Sequence, residues 1–242
     1  MDDVYSIQKQ TNHPLDRSMG YTFDFSVVWD NLGLFLSGAV VTVRLSLIAI
    51  AFGLAIGIIG ALCRTSGNRF LNGLAATYVE LIRNTPFLIQ LFFIFFGLPN
   101  LGLKLTAEQA ATLALAVNFG AYSTEIVRAG VESIHKGQVE AGLALGFKPI
   151  SVFRHIVITP ALANIYPALV GQIILAVLFT SVVSQIATED LTFTGDYLNA
   201  RTFRSFEIYF TIALVYLAIV WLIKGIAYAV EKKYFEFAKY RR

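Results

Sequence analysis

Charge and cysteine are what this chain has least of. Only 14% of its 242 residues are Asp, Glu, Lys or Arg, where a soluble domain ordinarily carries about 25%. The single cysteine, Cys63, excludes a disulfide-stapled scaffold. Short alternating strands are missing, which argues against an outer-membrane barrel. A net charge of +3 from 19 basic and 16 acidic residues is too weak to point to nucleic acid. What is abundant is apolar: 56% of residues are hydrophobic, and the mean hydropathy is +0.65. That excludes a disordered chain or a collagen-like fibre, and it is too apolar for one soluble core. The expected class is an all-α integral membrane protein with lipid as its solvent.

A helix needs about 20 mostly apolar residues to cross a hydrocarbon layer of ~30 Å. Five segments qualify: about Leu34 to Cys63, Leu74 to Leu98, Ala107 to Arg128, a stretch within His155 to Thr188 that holds no charged side chain, and Ile208 to Val230. The first exceeds the bilayer and is expected to tilt or protrude; Lys224 near the end of the fifth is expected to snorkel. Residues 1–32 read as an exposed tail, since five Asp and no basic start exclude a signal peptide. Residues 33–230 form the membrane domain, with a loop at about 132–160, and residues 231–242 form a basic tail. Five spans put the termini on opposite sides. With the C-terminus in the cytoplasm, inner segments hold twelve basic residues (Arg64, Arg69, Arg128, Lys136, Lys148, Arg154, Lys224, Lys232, Lys233, Lys239, Arg241 and Arg242) and outer segments five (Lys9, Arg17, Lys104, Arg201 and Arg204). The excess of positive charge inside places the N-terminus outside.

The loop between the third and fourth segments carries the most information. Glu132 to Leu145 reads as a short helix, Gly146 suits a left-handed helix end, and Pro149 suits the first turn of a second short helix before Pro160 starts the next span. Physics alone allows an ordinary amphipathic surface loop. The letters go further. Glu140-Ala141-Gly142, three residues, Gly146, nine residues, then Ile156-Val157-Ile158-Thr159-Pro160 resembles the EAA loop of ABC-importer membrane subunits. Tyr78-Val79-Glu80-Leu81-Ile82-Arg83-Asn84-Thr85-Pro86-Phe87-Leu88-Ile89-Gln90 resembles the second-span signature of the polar amino acid branch, the histidine-, arginine- and glutamine-type permeases. Glu125 to Val131 followed by Gly137-Gln138 fits the same branch. The likeness covers roughly residues 33–230. Two positions depart from the pattern: Gly142 stands where the triplet has a second alanine, and the loop proline comes one place late.

The resemblance implies a type I ABC importer permease of a bacterial inner membrane. Its partners would be a second permease subunit (identical or paralogous), two ATPase subunits and an extracytoplasmic solute-binding protein. The elbow at Glu140, Ala141, Gly142 and Gly146 would couple to the ATPase. No Gly-x-x-x-x-Gly-Lys-[Ser/Thr] loop occurs in the chain, so ATP and Mg would be bound by the partner, and this chain would carry no cofactor and no enzymatic activity of its own. The implied cargo is an amino acid.

Ionisable and polar groups inside spans are the candidate sites, because burying a charge in lipid costs about 2.5–3.5 kcal/mol even on insertion scales. Asn118, Tyr122 and Glu125 are spaced four and then three, on one helical face. Glu125 is a candidate partner for a substrate amine, and Asn118 and Tyr122 for its carboxylate; the alternative is hydrogen bonding between helices. Gln172, Thr180, Ser181, Ser184 and Gln185 offer a second polar face, with Gln172 and Ser181 as further candidate substrate contacts. Glu80 and Arg83 are placed to pair, and Pro86 frees the carbonyl of Ile82, which together suggest a gate or kink. Enzyme constellations are weak: His13, His135 and His155 show no metal spacing, no Gly-x-Ser-x-Gly elbow occurs, and Cys63 at a span end reads as inert. The competing functional class is an ATPase-independent secondary transporter or channel, which predicts inverted repeats that this chain lacks. Co-purification of a soluble ATPase separates the two.

Topology is directly testable. Single cysteines at Asp16 and Lys239, in a chain with Cys63 replaced by serine, are expected to react with a membrane-impermeant maleimide from opposite sides. Reaction of both from one side removes the five-span arrangement.

Overall fold

The computed structural model describes residues 21–235; Asp16 and most of the exposed tail, with Lys239, Arg241 and Arg242, lie outside the described residues. Among the described residues every regular element is helical: α1 (Ser26–Asp30), α2 (Leu32–Thr65), α3 (Arg69–Arg83), α4 (Phe87–Phe92), α5 (Ala107–Glu132), α6 (Lys136–Ala144), α7 (Pro149–Val152), α8 (Thr159–Val183), α9 (Leu191–Thr202) and α10 (Ser205–Tyr234). Pro149–Ile186 runs as one rod of 38 residues. This rod, α2 and α10 are each long and apolar enough to cross a membrane. The expected third span, α5, falls short of that hydropathy for a physical reason. Its middle is enclosed by protein, with Ala114, Leu115, Asn118, Phe119, Ala121, Ser123 and Thr124 all buried, so it has no need to be uniformly apolar toward lipid.

The expected second span is not one kinked helix. α3 ends at Arg83, the chain turns through Asn84-Thr85-Pro86, and Phe87–Leu101 leaves at 109°. Pro86 holds an extended backbone (φ −63°, ψ 138°) and has no N–H to give, so the helix stops and restarts instead of bending. α3 is strongly amphipathic where Phe87–Leu101 is apolar. A π-helical turn, Phe93–Gly97, and a 3-10 turn, Leu98–Leu101, finish the second half.

The core is the crossing of α2 and α5. Gly53, Gly57 and Gly60 of α2 meet Ala116 and Phe119, Ser123, and Thr124 of α5. A Cβ built on Gly57 would lie 2.5 Å from the Cβ of Ser123, and one on Gly60 2.3 Å from Thr124 Oγ1. Small residues at this spacing let two backbones approach in lipid, where association rests on packing. Phe87 stacks on Phe179 at 5.2 Å, which closes the same apolar cluster against α8.

Three further departures from the sequence reading are structural. Pro160 starts no span, because the π-helical turn Phe153–Ile158 joins α7 to α8 without interruption. The helix expected over Glu132 to Leu145 is divided at Ser133–His135, where the His135 ring accepts from Gly137 N–H at 3.1 Å and caps α6. The described part of the N-terminal segment is clasped to the start of α10. Glu207, fully buried, accepts from Tyr21 and from the backbone N–H of Asp24, and Arg204 donates to Thr22 O at 2.9 Å.

Gly57→Val is expected to destabilise the folded chain by about 1–3 kcal/mol through overpacking of the seam. Gly225→Val, where an added Cβ meets nothing within 4 Å, is expected to change stability far less. Thermal unfolding in detergent measures both, and equal losses would show that the seam is not close-packed.

Candidate functional site

The break in the second span is held by one side chain. Pro86 leaves the carbonyl of Ile82 without its helical partner, and Gln90 Nε2 supplies it at 2.7 Å. The same amide donates to Thr85 O at 3.0 Å and Thr85 Oγ1 at 2.9 Å. Gln90 Oε1 in turn accepts from Asn118 Nδ2 of α5 at 2.9 Å. One residue before Asn118, Val117 O accepts from Tyr78 of α3 at 2.6 Å. Both halves of the broken span are therefore pinned to one turn of α5. In a water-poor interior each of these groups would be costly to leave unpaired.

This geometry redistributes the candidate residues. Asn118 is only 4% exposed and gives an amide N–H to Gln90. Tyr122 and Glu125 do line an open groove, of about 390 Å³, between α3, α5 and α8, together with Arg83, Ser133 and Asn164. Glu125 is already neutralised there. Arg128 Nη2 approaches it at 2.7 Å and Arg64 Nε at 3.3 Å, and Arg64 also exchanges hydrogen bonds with Asn72 of α3. This cluster ties α2, α3 and α5 together. Asn164 Nδ2 donates to Ser133 Oγ at 3.0 Å across the gap between α8 and the end of α5.

Glu80 and Arg83 do not pair. Glu80 accepts from Asn84 Nδ2 at 2.8 Å, and the Arg83 guanidinium lies 5.3 Å from the centroid of the Tyr122 ring. With the chain turning after Arg83, the two side chains are drawn to different neighbours. The polar residues of the Pro149–Ile186 rod divide as well. At ~100° per residue, Gln172 and Ser181 stand on opposite sides of the helix. Gln172, Thr180 and Ser184 are buried in the fold, while Gln185 is exposed and Ser181 half-buried.

The elbow around Gly146 has the expected geometry. Gly146 has φ +83°, Phe147 N–H bonds Gly142 O at 3.2 Å, and Gly146 N–H bonds Leu143 O at 3.0 Å. Those two bonds close α6 with a left-handed glycine. Gly142 sits where a Cβ would come within 2.6 Å of Ile156 Cδ1, so glycine at the third triplet position accommodates the larger Ile156. The elbow leaves Leu145 78%, Phe147 55% and Ile150 69% exposed, an apolar patch of the kind that marks a protein contact.

Gln90, Arg64 and Asn164 were not singled out by sequence reasoning. Gln90 carried a signal: an amide four residues after a proline, opposite an asparagine on another span. Arg64 and Asn164 carried none that spacing could reveal, because their partners come from other helices.

Residues 53–236 match the family described as binding-protein-dependent transport system inner membrane component. The glutamine transport system permease protein GlnP of Escherichia coli (strain K12) is 36% identical over 213 residues, 87% of this chain and 97% of that protein. The probable glutamine ABC transporter permease protein GlnM of Bacillus subtilis (strain 168) is 35% identical over 194 residues, 80% and 90% of the two chains. Among solved structures, a chain from the crystal structure of an amino acid ABC transporter with histidines superposes with a TM-score of 0.81 at 34% identity, over 88% of this chain and 100% of that one. A chain of the inward-facing MetNI methionine ABC transporter superposes with a TM-score of 0.71 at 21% identity, over 86% and 99%, a likeness of fold alone.

The pin at the break ranks two substitutions. Gln90→Leu takes the amide donor from the Thr85 carbonyl and the acceptor from Asn118, and leaves the Ile82 carbonyl only the long bond from Thr85 Oγ1 at 3.4 Å, whereas Asn118→Leu strands only Gln90 Oε1. At about 1–3 kcal/mol for each unsatisfied buried group, Gln90→Leu is expected to lower the unfolding temperature in detergent more. The reverse order would show that Gln90 does not hold the turn.

Proposed function

Because this chain belongs to the binding-protein-dependent transport system inner membrane components, we propose that it conducts polar amino acids, with glutamine as the first candidate cargo. It is a membrane-spanning permease subunit of an ABC importer, and ATP is hydrolysed by a separate subunit. The cargo reading is supported by two relatives that are named for glutamine and are at least 35% identical over most of their length. The complete unit in this reading holds two permease subunits, identical or paralogous, two ATPase subunits that bind ATP and Mg, and an extracytoplasmic binding protein.

The arrangement we infer has five spans: α2, the bent pair α3 with Phe87–Leu101, α5, the rod through α8, and α10. The N-terminus lies outside and the basic tail inside a bacterial cytoplasmic membrane. Residues 33–230 are the membrane domain, and about 132–160 the coupling loop. Tyr122 and Glu125 face the pathway groove, and Ser181 with Gln185 offers the polar edge of the Pro149–Ile186 rod to the facing subunit. Glu80, Arg83 and Pro86 form the turn at which the bent pair would hinge.

The observation that carries the coupling role is the continuity of the elbow with a span. α7 begins the Pro149–Ile186 rod, so a push on Leu145, Phe147 and Ile150 is transmitted along a helix and not dissipated in a loop. A soluble partner with an apolar cleft fits that patch; a channel or secondary transporter has no use for it.

Gly146→Val, which a φ of +83° disfavours strongly, is expected to abolish transport and weaken ATPase association in reconstituted complexes, with membrane insertion unchanged. Normal substrate-stimulated ATP hydrolysis in this variant would remove the elbow from the coupling path.

A further inference from the structure

We propose that Arg83 is the group that grips the α-carboxylate of the amino acid as it passes the inner half of the membrane domain. The inference rests on the reading above that this chain conducts amino acids, and it names the chemistry of the groove beside Tyr122.

Three observations converge on Arg83. First, it is exposed on the wall of the groove and has no acidic partner among the described residues; the carboxylate of that wall, Glu125, is bound by Arg64 and Arg128. Second, the ring of Tyr122 supports the guanidinium through a cation–π contact at 5.3 Å. That contact uses the charge of the group and not its N–H donors, which make no hydrogen bond among the described residues. A planar fork with free donors is the geometry that holds a carboxylate by two parallel hydrogen bonds. Third, Asn118, the other candidate donor for a carboxylate, is committed to Gln90.

The groove also suits the whole zwitterion. Its volume of about 390 Å³ falls at the lower end of small-molecule sites, roughly 300–1,000 Å³. The side-chain carbonyl of Asn164, whose amide nitrogen donates to Ser133, offers an acceptor for an ammonium group. A phospholipid phosphate would also satisfy Arg83, so the test separates a lipid headgroup from an amino acid.

The test uses the complete permease–ATPase complex in vesicles of phosphatidylethanolamine and phosphatidylglycerol. Transport by the unaltered complex with its binding protein first establishes which of L-glutamine, L-histidine and L-arginine is carried. Binding of that amino acid and of its α-amide, which lacks the carboxylate charge, is then measured without binding protein. The unaltered complex is expected to prefer the acid over the amide by roughly 10- to 150-fold, as for a hydrogen bond to a charged group. Arg83→Gln should bring the two ligands to within about threefold, by weakening the acid alone. Arg83→Lys, which keeps the charge and loses the fork, should fall between, and it decides the matter if the Gln variant does not assemble. Persistence of the full preference in either variant overturns the proposal while leaving the transport reading intact. Loss of tightly held phosphatidylglycerol with unchanged amino-acid preference would overturn it in favour of a lipid site. If none of the three amino acids is transported, the functional reading fails first and this inference with it.

Discussion

The close crossing of α2 and α5 is the contact on which the rest of the chain is built. In lipid there is no hydrophobic force to press two helices together, so their association depends on how many atoms come into van der Waals range. Gly53, Gly57 and Gly60 remove the side chains that would hold the backbones apart, and Ser123 and Thr124 fill the space they vacate. Once α5 is enclosed in this way, it becomes the post to which other elements attach. Tyr78 and Gln90 bond to it from the two halves of the broken span, Arg64 reaches Glu125 from α2, and Gly130 lets Ile165 of α8 approach.

Charge follows the same logic. Among the described residues, the ions at the end of α5 form a compact network in which Glu125 serves two arginines, and Arg128 also pairs with Glu132. Such half-exposed pairs contribute little stability singly, but here they join α2 to α5, and the hydrogen bonds between Arg64 and Asn72 add α3. Arg83 stands outside this network, supported by an aromatic ring and not by a carboxylate. The distinction between charges used for architecture and charges left available is therefore drawn within a few residues on the same wall.

The elbow around Gly146 and the Pro149–Ile186 rod are mechanically one piece. A π-helical turn at Phe153–Ile158 carries the helix past Pro160 without a break, since a wider turn can accommodate the missing donor that would otherwise interrupt the ladder. Gly142 is packed under Ile156 and Val152, which fixes α6 against the foot of this rod. The apolar residues left exposed at the elbow are thus presented on a rigid base.

Much of this was legible in the letters. Long apolar runs determine by themselves that the chain is helical and lies in lipid, because only internally bonded helices satisfy the backbone there. Gly146 and Pro149 define the elbow through their own allowed backbone angles, and the break at Pro86 follows from a missing N–H. These are local properties, and local sequence is sufficient for them. Which side chains meet is another matter. Nothing in the spacing of Asn118, Tyr122 and Glu125 tells that the first is sequestered by Gln90, the second supports Arg83, and the third is shared by Arg64 and Arg128; nor does the cluster of polar residues on α8 reveal that it divides between two faces of the helix. Only the tertiary structure decides those partnerships, because each is made between helices distant in the chain, and a hydrogen bond or ion pair exists only where folding brings both ends within about 3 Å.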